Sequence, residues 1–97
     1  MRVVGDEGHL DATLGIVYRQ RPRNADDLTR IKGIAKVLEA KLHSFGIYRF
    51  KQIAEWSQEQ VNAFSGKLSF KGRIEREEWL RQAASLHEAD YGEKLWS

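Results

Sequence analysis

The segment TRIKGIAKVLEAKL, residues 29–42, constrains this chain more than any other. One glycine, Gly33, separates two short apolar stretches. Downstream of it, Ile34, Leu38, Leu42 and Phe45 recur at i, i+4, i+8 and i+11, the spacing of a single helical face. That spacing predicts a helix over 35–45, and Gly46 just past it reads as a C′ residue in the left-handed conformation. Upstream, Asn24 or Asp26 can serve as an N-cap, and Asp27 suits the positive end of a helix. A first helix over 26–31 follows, stopped by Gly33. Two helices meeting at a glycine cannot form one rod. They form a hairpin.

The rest of the chain repeats this short-helix grammar. Phe50, Ile53 and Ala54 point to a helix over 49–55, with Trp56 closing its apolar face. Ser57 with Gln60 three residues later is a capping-box pattern, starting a helix over 58–64 that buries Val61 and Phe64. Ser65 and Gly66 end it, and KLSFKG is read as a turn burying Leu68 and Phe70. A fifth helix is expected over 73–90, with Trp79, Leu80, Ala83, Ala84 and Leu86 on a broad apolar face. The one proline, Pro22, lies upstream of all of these. No strand-like alternation occurs in this body. The expected fold is all-α, a compact orthogonal bundle of about five short helices, because none is long enough for a heptad seam. The domain is placed at 26–92, with a tail at 93–97 and an N-terminal arm at 1–25, extended or partly disordered. In the arm, the apolar run Leu14–Tyr18 reads as a short strand, a docked extended segment or a linker.

Composition narrows the function. With no cysteine, disulfides, thiolate metal sites and cysteine nucleophiles are excluded. No apolar run approaches the roughly 20 residues of a membrane span, and no secretory signal is read, so a cytoplasmic protein is expected. Charge is unevenly spread. From Arg30 to Arg73, nine basic residues face three acidic ones, whereas from Ile74 onward three basic residues face six acidic ones. A basic middle fits a polyanionic partner, and ordinary solvated helix faces are the alternative.

The hairpin carries the most specific chemistry. A helix N-terminus offers unpaired N–H groups and the positive end of a dipole, which together attract phosphate. Lys32 and Lys36 flank it. Lys71, Gly72 and Arg73 form a second basic turn before the fifth helix, where an anion could also sit. The histidines, His9, His43 and His87, show no metal-ligand spacing. Asp26-Asp27 and Glu75, Glu77 and Glu78 fall where helix starts favour acids. No catalytic residue, metal or cofactor is expected, and an enzyme is not.

The order IKGIAKVLEAKL resembles the helix-hairpin-helix motif, in which apolar–any–Gly–apolar–Gly opens the hairpin at Ile31, Lys32, Gly33, Ile34 and Ala35, and Leu42 fills a later apolar position. DDLTRIKG, FGIYRFKQIAEW and FKGRIEREEWLRQA extend the resemblance over roughly 26–88, toward small bacterial domains appended to other proteins. Some of these are similar to the DNA-binding part of flap-type 5′ nucleases, and some are fused to respiratory-chain subunits. The resemblance implies sequence-nonspecific DNA binding by the amides of Gly33, Ile34 and Ala35, with Lys36 nearby. Three positions depart from the motif. Ala35 replaces the second glycine, Lys36 a frequent proline and Val37 a frequent lysine. SQEQVNAFSGKL lacks a second hairpin motif. The rival expectation is a protein-interaction or assembly module of the same fold.

Overall fold

The computed structural model describes residues 8–11 and 13–96. After a β-hairpin, a 3-10 turn at Leu28–Arg30 precedes five helices: α1 Lys36–Ser44, α2 Phe50–Ala54, α3 Gln58–Lys67, α4 Arg73–Arg76 and α5 Trp79–Tyr91. The helical body is the all-α bundle the sequence predicts. Leu28, Ile31, Leu42, Ile47, Phe50, Ile53, Phe64, Ile74 and Trp79 are fully buried at its centre. Trp56 stacks on Phe64 with centroids 4.3 Å apart, while Leu38, Phe45, Phe70, Leu80 and Leu86 seal the edges half-buried.

Local signals explain most boundaries. Ser57 and Gln60 form the reciprocal capping box, with Ser57 N–H donating to Gln60 Oε1 at 2.8 Å and Gln60 N–H to Ser57 Oγ at 3.2 Å. Gly46 has φ +86, and α1 ends in a Schellman motif: Ile47 N–H reaches the Leu42 carbonyl and Gly46 N–H the His43 carbonyl, both at 2.9 Å.

Four expectations on the helices need correction, the simplest being that α3 continues through Ser65 and Gly66 to Lys67. The first helix is only a 3-10 turn, capped by Asp27, whose Oδ1 accepts Thr29 N–H at 3.1 Å. Asp26 is not the cap. It is buried and accepts Phe50 N–H at 2.8 Å and Tyr91 O–H at 2.7 Å. The helix expected over 73–90 is two helices. Glu78 takes a left-handed conformation, φ 55, and the Gln82 amide donates to the Glu77 carbonyl at 2.8 Å. A side chain thereby takes a carbonyl that an unbroken helix would pair with a backbone N–H.

The region 9–17 carries two three-residue strands, β1 His9–Asp11 and β2 Gly15–Val17, paired antiparallel with Leu10 opposite Ile16. Asp11 Oδ1 accepts Thr13 and Leu14 N–H at 2.8 Å each and shapes their turn. The buried Gln52 anchors this hairpin to the bundle. Its Nε2 donates to the Ile16 and Gly46 carbonyls at 2.8 and 2.9 Å, and its Oε1 accepts Tyr48 and Arg49 N–H. Residues 1–7 and Ser97, assigned to the arm and the tail, lie outside the described residues.

Candidate nucleic-acid interface

The turn at 31–36 is held by side chains from α4 and α5. Gln82 grips the peptide of Lys32 from both ends, accepting its N–H at 2.8 Å and donating to its carbonyl at 3.2 Å. Arg73 Nη2 donates to the Gly33 carbonyl at 2.9 Å, and its Nε pairs with Glu77 Oε1 at 3.1 Å. Glu77 Oε1 also accepts the Trp79 indole N–H at 3.1 Å. The indole, then the Arg73 guanidinium, hold the Glu77 carboxyl below its ordinary value against the opposing effect of burial.

This clamp explains why position 33 is glycine. Its φ is +105, and a Cβ there would collide with the Glu77 carboxylate. Position 35 makes no such demand. Ala35 sits at φ −97, ψ 179 in ordinary extended backbone, so a methyl group replaces the motif's second glycine without backbone strain.

Ala35 is also the N-cap of α1, and it has no side chain to cap with. Among the described residues no acceptor takes the Gly33 or Ala35 N–H. The Ile34 amide, by contrast, closes the turn onto the Ile31 carbonyl at 3.1 Å, and its side chain is buried. Of the three hairpin amides expected to face a ligand, two are open and one is spent. The acid of the first helical turn, Glu39, is occupied in accepting Leu28 N–H at 3.0 Å.

The cations divide by residue type. Arg30 is paired with Asp90 at 2.7 Å, and Arg73 is built into the clamp with its guanidinium 5.3 Å from the Phe70 ring. Lys32, Lys36 and Lys71 are exposed and form no ion pair among the described residues. Two carboxylates flank the hairpin: Glu77, packed against Gly33, and Asp27, held below its ordinary value chiefly by Thr29 hydrogen bonds and more weakly by Lys36.

Gly33, Ala35 and Arg73 line one groove of about 250 Å3, together with Val37, Lys41 and Phe70. Lys71 and Gly72 face a different cavity on the other side of the 68–73 loop, and Phe70 lines both. Gly72 does precede a helix, at φ +68, but α4 is a single turn of four residues, too few peptide units for a strong dipole. Sequence reasoning missed Gln82 and Glu77 as supports of the hairpin. Their only signal is that both are polar on a helix otherwise read for its apolar face.

A family model described as the RS2/RL21/YNQ2 HHH domain matches residues 28–87. The chain belongs to this helix-hairpin-helix family. The large ribosomal subunit protein bL21 of Roseobacter denitrificans is 52% identical over 62 residues, covering 64% of this chain and 29% of that protein. The small ribosomal subunit protein uS2 of Methylobacterium nodulans is 44% identical over 69 residues, covering 70% of this chain and 20% of that protein. An uncharacterised 22.9 kDa protein of Paracoccus denitrificans is 43% identical over 65 residues, 66% of this chain and 30% of that protein. The chain thus spans less than a third of the length of the curated relatives it matches. No solved structure matches it. Among the described residues no helix is long and apolar enough to cross a membrane.

Proposed function

We propose that this domain is a non-enzymatic module that binds the sugar–phosphate backbone of nucleic acid, without reading sequence, through the N-terminus of α1. One observation carries this reading: the helix begins uncapped at Ala35, beside Gly33 and Ala35 amides and Lys32 and Lys36 ammonium groups that are unpaired among the described residues. A phosphate there would accept backbone N–H bonds and face two cations. Lys71 would extend the basic surface beyond Phe70. Arg73 supports the hairpin from beneath. Nonspecificity follows from the same chemistry, since backbone amides and lysines read phosphate rather than base edges.

The names of the relatives favour RNA over the DNA that the motif alone implies, with a ribosome or its assembly in the cytoplasm as the setting. The resemblance to flap-type nucleases rests on the motif and brings no catalytic residues with it. The test is binding of labelled RNA and DNA to the protein and to Lys36→Glu at several salt concentrations. The reading requires salt-weakened binding, and a salt slope reduced by about one in the variant. Binding indifferent to both salt and Lys36→Glu overturns it.

A second reading, a protein-interaction module, is favoured by Leu10 and Ile16. They pair across the β-hairpin and are 79% and 44% exposed.

A further inference from the structure

Beyond the 68–73 loop lies a cavity of about 620 Å3, bounded by Asn62, Ser65, Gly66, Phe70, Lys71 and Glu75. Its size falls within the roughly 300–1,000 Å3 of small-molecule sites. Its wall includes unused hydrogen-bonding capacity. The Ser65 hydroxyl is buried with no partner among the described residues, which native proteins rarely leave so. Asn62 accepts from Gln58 at 3.0 Å through its oxygen, leaving its NH2 an unused donor among the described residues. Glu75 accepts from the same Gln58 at 3.3 Å.

The apolar part of the wall is aromatic. Phe70 meets Trp79 edge-on and lies under Arg73, and the rest of its half-buried ring serves the two grooves on either side. On the hairpin side, Val37 stands 77% exposed in the groove that Gly33 and Ala35 line. Gly66 is the third sign. It lies in the last turn of α3, next to the final residue Lys67. Its backbone conformation does not call for glycine, and a Cβ there would meet nothing within 4 Å. What its missing side chain does is leave the cavity open.

A hydroxyl, an amide, an aromatic wall and a free lysine, one loop away from a phosphate site, match the chemistry of a nucleotide whose base is exposed. Bases are recognised this way when unpaired, by stacking and by hydrogen bonds to their edges. A base inside a continuous duplex has its edge paired and its faces covered. We infer that this cavity receives an unpaired nucleobase while the adjoining phosphate sits at the hairpin, so that the domain selects single-stranded or bulged RNA over continuous duplex. This inference rests on the backbone-binding reading above.

The test uses fluorescence anisotropy with a short labelled RNA single strand and the blunt duplex of the same sequence, on the wild type, Gly66→Gln and Lys36→Glu. The wild type should prefer the single strand by about tenfold, the scale of one stacked base. Gly66→Gln fills the cavity from a position with open space. It should lower single-strand affinity to the duplex level, leave duplex affinity unchanged and not lower the melting temperature. Lys36→Glu should weaken both ligands alike. A wild type with no preference, or a preference that survives Gly66→Gln, overturns the cavity assignment while leaving the hairpin reading intact. If Lys36→Glu changes neither affinity, the hairpin reading fails, and this inference with it.

Discussion

Two turns of this molecule look alike in sequence and behave differently in space. IKGIAK at 31–36 and GKLSFKG at 66–72 each join two helices with glycine and lysine. The first is gripped from outside: Gln82 holds the Lys32 peptide, Arg73 the Gly33 carbonyl, and the Glu77 carboxylate fills the space where a side chain would go. The second opens onto a cavity, with a Ser65 hydroxyl that has no partner among the described residues and a glycine, Gly66, that neither packing nor backbone conformation demands. Glycine therefore carries opposite meanings at the two places. At 33 its absence of a side chain is a condition of folding. At 66, in the last turn of α3, it leaves a space.

The largest effect expected from this contrast is at Gly33. Gly33→Ala places a Cβ against Glu77 at a positive φ, and should destabilise the fold by about 3 kcal/mol in urea unfolding. An unchanged midpoint would mean that the clamp is loose. Next comes Gln82→Ala, which strands both ends of the Lys32 peptide. Because those hydrogen bonds are solvent-exposed, about 1 kcal/mol is the expected loss, accompanied by increased amide exchange at Lys32.

Glu77 sharpens the comparison through pH. Its folded-state pKa lies below the ordinary value of 4.5, so its contribution is present above that value and lost as pH falls through the lower folded value. Acid should therefore loosen the first turn. Glu77→Gln should flatten the acid limb of the stability curve, and an identical acid limb in the variant would remove Glu77 from the clamp. Gly66→Ala has the smallest effect and the opposite sign to Gly33→Ala. It should stabilise by about 0.5 kcal/mol, and destabilisation instead would mean that position 66 needs its glycine.

What could be read from the sequence was whatever short-range chemistry decides. The spacing of Ile34, Leu38 and Leu42 placed α1, Gly46 its end, and Ser57 with Gln60 the start of α3. What could not be read depends on contacts between distant residues. Asp26 reads as a cap, but its partners are Phe50, 24 positions away, and Tyr91, 65 away. The break between α4 and α5 has no glycine or proline to announce it. It follows from Glu77 bonding to Trp79 and Arg73 while Gln82 takes its carbonyl. The β-hairpin consists of two three-residue strands, too short for alternation to register.

The candidate site divides along the same line. Gly33 was legible because the motif fixes it, Ala35 as a departure from that motif, and Lys32 and Lys36 as charge flanking the turn. The sequence could not reveal that the Ile34 amide is internally satisfied, that Arg73 is a support, or that Lys71 and Gly72 face a separate cavity.

The measurement closest to the central claim follows backbone amide shifts by NMR as short RNA is added at low and high salt. The Gly33 and Ala35 amides should move most, the Ile34 amide less, and high salt should suppress the shifts. No movement at Gly33 and Ala35 at low salt, or shifts centred instead on Leu10 and Ile16, would contradict the account and turn attention to a protein partner.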